Sequence, residues 1–316
     1  MSLKNSFFFF INWGRKKLPA VPVDKKDSNG RIIILPGSVE VTLPRNDMVA
    51  LNLDSPLNIK SSLQGIINQI NSKNGLAILS HPSYLLKPYN RRKLFRLDGY
   101  LGIEIYNPNK IPWPESTRRW DFLLVRKFDR KIWGFTSDDM HDLKRDAGRA
   151  WIMVRTEVMD VTGILEALKR GSFYSTTGPL VEEIINRETS IYLHLKSPAQ
   201  IKYIRNGHKV CQINFGKEST YYFSPDDKYV RIEIKDLKNR KKAWTQPIFA
   251  KDGKVTYFPY FGKGEWLKGC IHIHTETDGG TASLEEVIGW YKTHGYHFLA
   301  ITEHNFIAHP KFLSEV

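Results

Sequence analysis

The sequence is short of cysteine, of long apolar runs, and of acid relative to base, and each shortage argues against a class of protein. Its 316 residues include only Cys211 and Cys270. These are far apart and form no CxxC pair, so neither a disulfide framework nor a thiolate zinc site is indicated. Two small buried side chains in a reducing cytoplasm are the simpler reading, and a cytoplasmic location is expected. The one conspicuous apolar run, Phe7-Phe8-Phe9-Phe10-Ile11, is too short to cross a bilayer, and no convincing small-residue cleavage site follows it. A buried strand or a lead segment is expected there in preference to a signal peptide, and no membrane partner is expected. Internal repeats and low-complexity tracts are also missing.

What is present is an ordinary globular composition, 41% hydrophobic and 25% charged, which predicts a sizeable core. Lys and Arg number 47 against 33 Asp and Glu, giving a net charge of +14. Basic residues cluster at Arg15-Lys16-Lys17, Arg91-Arg92-Lys93 and Lys238-Asn239-Arg240-Lys241-Lys242. Such clusters attract nucleic acid or other polyanions, but charge runs also serve simply as solvated faces, and no recognised nucleic-acid-binding motif accompanies these.

Four segments are distinguishable: a lead segment over 1–30, a βα region over 31–179, a small antiparallel β domain over 180–262, and a return to βα texture over 263–316. In the second, Ile32–Leu35, Leu76–Leu79, Leu101–Tyr106, Ile132–Thr136 and Trp151–Arg155 read as strands. Helical periodicity covers 61–73, 116–127 and 161–169, with Gly75 and Gly171 as stops. In the third, Ile191–Leu195, Tyr221–Phe223 and Tyr229–Ile234 are separated by turn signals such as Asn206-Gly207. In the fourth, Ile271–His274 and Phe298–Ile301 read as strands, with a capping box at Ser283-Leu284-Glu285-Glu286 between them.

His272-Ile273-His274 is the most informative triplet. On a strand, residues two apart face the same way, so both imidazoles can reach one metal; buried structural histidines are the alternative. Asp278 follows in a polar loop, and His304 ends the next expected strand, at the carboxyl end where parallel βα folds gather their ligands.

The run Lys268–Gly279, with His272-Ile273-His274 and Asp278, followed by Ile301-Thr302-Glu303-His304-Asn305, resembles the first two motifs of the PHP (polymerase and histidinol phosphatase) superfamily. Earlier in the chain, Pro36–Val41 resembles the segment supplying a bridging glutamate, Glu40. Leu79-Ser80-His81-Pro82 resembles the histidine-proline motif, and Thr136–His141 resembles the final Asp-x-His pair, Asp139 and His141. Gly171–Pro179 resembles the segment that commonly closes the family's barrel. The motif order is cyclically permuted, since His-x-His normally opens the domain. A fragment of a tandem protein completed by another molecule, or an unusual chain numbering, would give the same order.

The resemblance implies a distorted parallel (β/α)7-type barrel carrying a small antiparallel β domain. It implies two or three divalent ions (Mn, Zn or Fe) held by His272, His274, Asp278, His304, Glu40, His81, Asp139 and His141, with Glu40, His81 and Asp139 as the catalytic set. The segment Gly102–Asn107 lacks the extra His or Cys of three-metal members, leaving Glu104 or a water as a substitute ligand. The implied activity is hydrolysis of a phosphate ester on a small molecule or nucleotide by a metal-bound hydroxide. A nuclease or nucleotide-processing enzyme and a non-catalytic scaffold are the alternatives.

Overall fold

The computed structural model describes residues 32–128 and 130–307, so the lead segment with its apolar run and first basic cluster lies outside the described residues. The chain opens with β1 (Ile33–Ile34), β2 (Val39–Thr42) and β3 (Asp47–Leu51). Helix α1 (Leu63–Ser72) starts where the Ser62 hydroxyl accepts from the Gly65 amide, and it buries the stripe Ile66, Ile67 and Ile70. There follow β4 (Leu76–Leu79), α2 (Arg91–Arg96), β5 (Gly102–Tyr106), α3 (Thr117–Arg126), β6 (Trp133–Thr136), β7 (Trp151–Thr156), α4 (Val161–Arg170) and β8 (Phe173–Thr176). Gly171 closes α4 at φ 76°, a left-handed conformation that suits glycine, and a Cβ there would lie 2.7 Å from the Trp133 ring.

Next come β9 (Val181–Asn186), β10 (Ser190–Arg205), β11 (Lys209–Tyr222), β12 (Tyr229–Asp236), β13 (Lys242–Thr245), β14 (Ile248–Lys251) and β15 (Lys254–Tyr257). The last elements are β16 (Glu265–Cys270), α5 (Leu284–Thr293) and β17 (Phe298–Leu299). The capping box of α5 is formed, with Ser283 and Glu286 each satisfying the other's amide.

These strands do not build a parallel (β/α)7-type barrel. They form two mixed sheets, one of five strands in the order β2-β3-β4-β5-β6 and one of 12 whose main path is β1-β17-β16-β7-β8-β13-β12-β10-β11. Among the described strands, parallel ladders join only β4-β5-β6 and β1-β17-β16. The cause is the connections. Residues 43–46 are too few for a crossover, so β3 folds back antiparallel on β2 and then meets β4 antiparallel as well. Strand β7 lies antiparallel between β16 and β8, and β8 continues antiparallel into β13.

Three expected strands are shorter than their apolar runs suggest. Only Ile33–Ile34 and Phe298–Leu299 pair, and Ile271–His274 lies just beyond β16 in irregular backbone. The two sheets approach through isolated parallel bridges, Glu40 to His304 and Met140 to Ile273. These bridges bring the carboxyl end of the 298–304 segment against β2, and the 271–274 segment against the loop after β6. Beneath them lies a core that includes Trp120, Trp133, Phe135 and Phe173. Among the described residues no helix is long and apolar enough to cross a membrane.

Candidate metal centre

Where the two sheets meet, Glu40 reaches inward from β2 with its side chain buried. Its Oε2 lies 3.2 Å from His272 Nε2, 3.5 Å from His274 Nε2 and 3.1 Å from His304 Nε2, while Oε1 lies 3.3 Å from His81 Nε2. Asp139 approaches from the loop after β6, with Oδ1 3.5 Å from both His272 Nε2 and His274 Nε2 and 3.6 Å from His141 Nδ1. The His274 ring stacks on His304 at 4.4 Å and on His141 at 4.2 Å. Asp278, in a short 3-10 turn, lies 2.7 Å from His304 Nδ1 through Oδ2. All eight residues expected to bind metal therefore meet within one chain.

Four overlapping groups have ligand atoms close enough to share an ion: His141, His274 and His304; Glu40, His272 and His274; Glu40, Asp47 and His81; and His274, Asp278 and Glu303. Asp47 and Glu303 were not among the expected ligands. Asp47 opens β3, 3.8 Å from His81 Nε2, and Glu303 accepts from the Thr275 amide and hydroxyl with its Oε2 3.9 Å from His274 Nδ1.

Glu104, considered above only as a substitute ligand, lies behind the cluster on β5. It accepts from His272 Nδ1 at 2.8 Å, from the Ser137 hydroxyl at 2.6 Å, from the His81 amide at 2.7 Å and from Asn107 Nδ2 at 3.1 Å. A carboxylate on Nδ1 holds the proton there and turns the Nε2 lone pair toward the centre. His81 and Asp139 both have positive φ, 28° and 49°, a costly conformation for non-glycine residues that the surrounding bonds must hold. Asp138 supplies some of that restraint: it accepts from the amides of Gly148, Arg149 and Ala150 and from the Tyr291 hydroxyl, pinning the loop next to Asp139.

The electrostatics follow from burying opposite charges together. Burial alone would raise Glu40, but His272, with His304 and His81, holds it well below the usual carboxylate range. Asp139 is likewise driven well down against burial, by His272, Lys110 and His274. Burial works against a charged His272, yet Glu40, Asp139 and Glu104 raise it well above the ordinary imidazole value. For His274 burial wins and lowers it to about 4, leaving a neutral imidazole with a free lone pair. Burial lifts Glu303 to about 7.

A divalent ion fits this donor set. His272 Nε2, both ring nitrogens of His274, and Asp139 Oδ1 are buried without a hydrogen-bond partner. Leaving one such group unsatisfied costs roughly 1–3 kcal/mol, so several at one point call for a shared acceptor of lone pairs. Imidazole and carboxylate donors suit Mn²⁺, Zn²⁺ or Fe²⁺. Cys270 is buried, and burial keeps its thiol protonated by raising its pKa, which leaves the donor set free of thiolate.

No family model matches the chain, and no curated protein matches it. One solved structure similar to it is a two-domain protein containing predicted PHP-like metal-dependent phosphoesterase, from Bacteroides vulgatus. It shares 13% sequence identity over 73% of each chain, with a TM-score of 0.34. A superposition that loose assigns neither fold nor activity to this chain.

Proposed function

We propose that this protein is a metal-dependent phosphoesterase that hydrolyses a phosphate ester. The observation that carries the reading is the meeting of His272 Nε2, His274 Nε2 and Asp139 Oδ1, mutually close, buried and unpartnered. Divalent cations held there would supply Lewis acidity toward a phosphoryl oxygen and toward water. Glu40, whose two oxygens face different histidines, would hold such a cation together with His272 and His274, and would hold one together with Asp47 and His81. Asp139 and His272 would complete the shared wall. His141 and Asp278 would hold His274 and His304 from the outer side.

The remaining residues position rather than bind. Glu104 fixes the ring of His272, and Asn107 donates to both Glu104 and Asp139 Oδ2, tying the two acids together. Lys110 Nζ sits 2.5 Å from Asp139 Oδ2 and would place a cation beside an incoming phosphate. Substrate would enter past His304 and His141, whose side chains keep 31% and 30% exposure while His272 and His274 have none. A complete acid-and-imidazole cluster within one chain favours an enzyme over an inert scaffold. The parallel pairing of β1 with β17 supports treating the motif order as a permutation, because it joins early and late segments next to the site.

The test is replacement of His272 and His274 by alanine, with metal content and hydrolysis of 4-nitrophenyl phosphate measured on purified protein. Loss of both is expected; full retention of metal and activity would overturn the proposal.

A further inference from the structure

Beside the metal centre lies a cavity of about 330 Å³, within the range (roughly 300–1,000 Å³) typical of small-molecule sites. Its wall includes Ser83, Arg91, Trp113, Glu115, Arg118 and Arg119. Ser83 is two residues from His81, so their Cα atoms are at most roughly 7–8 Å apart. Arg119 donates from Nε to the Pro82 carbonyl at 3.0 Å, and the Ser116 hydroxyl donates to the Ser83 hydroxyl at 2.8 Å. The segment that presents His81 to the metal centre is thus also a wall of this cavity.

The charge in the cavity is unbalanced. Glu115, the only acid on its wall, is already engaged, accepting from Lys242 Nζ at 2.8 Å and from the Thr117 hydroxyl at 2.6 Å. Among the described residues the Arg118 side chain makes no hydrogen bond or ion pair, and the Arg91 side chain only rests its guanidinium over the Phe122 ring at 5.3 Å. Burial and the neighbouring charge of Arg91 both press the pKa of Arg119 down, as expected of cations gathered without a counter-charge. Guanidinium groups recognise phosphate through paired, charge-assisted hydrogen bonds. Trp113, 56% exposed, offers an apolar face on the same wall.

We propose that this arginine-lined cavity binds a second phosphate of the substrate, so that the enzyme acts on bisphosphorylated molecules with one phosphate at the metal centre and the other between Arg91, Arg118 and Arg119. An apolar spacer between the two phosphates would lie against Trp113. The inference rests on the phosphoesterase reading, and it narrows the substrate class.

The probes are α,ω-alkanediol bisphosphates of increasing length with their matching monophosphates, and the non-hydrolysable alkane bisphosphonates of the same lengths. With Mn²⁺ added, the protein is expected to hydrolyse one length of bisphosphate with a kcat/KM about tenfold or more above its monophosphate. In Arg91→Ala/Arg118→Ala, at two exposed positions, that preference should vanish while monophosphate hydrolysis is unchanged. Arg92→Ala/Arg126→Ala, which removes the same charge away from the cavity, should keep the preference. Calorimetry on the bisphosphonates provides a readout independent of turnover, with affinity expected to fall about tenfold or more in Arg91→Ala/Arg118→Ala. Hydrolysis of monophosphates with no preference for any bisphosphate, or equal bisphosphonate affinity in protein and variant, would overturn the inference while leaving the phosphoesterase reading standing. No hydrolysis of any probe, with bisphosphonate binding still dependent on Arg91 and Arg118, would instead sink the phosphoesterase reading and leave a phosphate-binding cavity without a substrate role.

Discussion

Replacing Glu104 with glutamine preserves shape but changes what His272 can do. Glu104 Oε1 accepts from His272 Nδ1 and Ser137, and Oε2 accepts from the His81 amide and Asn107. Whichever way the new amide turns, its NH₂ end faces two groups that were donors. If that end faces His272, Nδ1 must become the acceptor and the ring keeps its proton on Nε2, which leaves no lone pair there for a metal ion. If it faces the other way, the buried His81 amide loses its acceptor, in a residue already held at φ 28°. Either outcome leaves a buried donor unsatisfied, at about 1–3 kcal/mol, and disturbance of groups that orient metal ligands typically costs about 10–100-fold in metal affinity. Titration of Mn²⁺ or Zn²⁺ into Glu104→Gln, by calorimetry or against a competing chelator, should show a loss in that range, with circular dichroism confirming a folded protein. Unchanged affinity in a folded variant would refute the claim that Glu104 orients His272.

Three further predictions concern stability. Arg231 donates to Asp121 from both Nε and Nη2 at 2.7 Å, linking α3 to β12 in a buried pair, so Asp121→Ala should cost about 3–5 kcal/mol in urea denaturation. Against burial, Arg231 and then His208 hold Asp121 below its ordinary value of 3.8, so its stabilisation is present above that value and is lost as pH falls through the folded value. The gap between the protein and Asp121→Asn should therefore narrow as pH drops below about 4, and a gap independent of pH would contradict the pairing. Gly269→Ala would place a Cβ 2.1 Å from the Phe298 ring where β16 meets β17, and overpacking of this kind should destabilise by about 1–3 kcal/mol, read as a lower denaturation midpoint.

Much of the local structure was legible in the sequence because it depends on near neighbours. The Ser283–Glu286 box, the Gly171 stop and the apolar stripes of α1 and α4 are short-range signals, and each helix forms where its signal lies. Strand direction was not legible, because apolar runs reveal pairing but not orientation, and here a four-residue link turned β3 antiparallel and took the barrel with it. Strand β3 itself was missed: Asp47-Met48-Val49-Ala50-Leu51 is buried throughout and shows no alternation, although Pro44 and Pro56 bracket it. With it went Asp47. The His-x-His spacing stood out without a regular strand beneath it, since the bridge at Ile273 is enough to point both flanking rings the same way. Glu303 lies inside a quoted motif and Glu104 in the segment considered for a substitute ligand, but their partners were not legible there; only three-dimensional proximity gives them His274 and His272.

The most direct measurement is elemental analysis of the purified protein joined to anomalous diffraction from its crystals. A divalent ion bound among Glu40, Asp139, His272 and His274 is the predicted result, with a second ion shared through Glu40. Protein that remains metal-free after incubation with Mn²⁺, Zn²⁺ or Fe²⁺, with those four side chains closed on one another, would contradict the account.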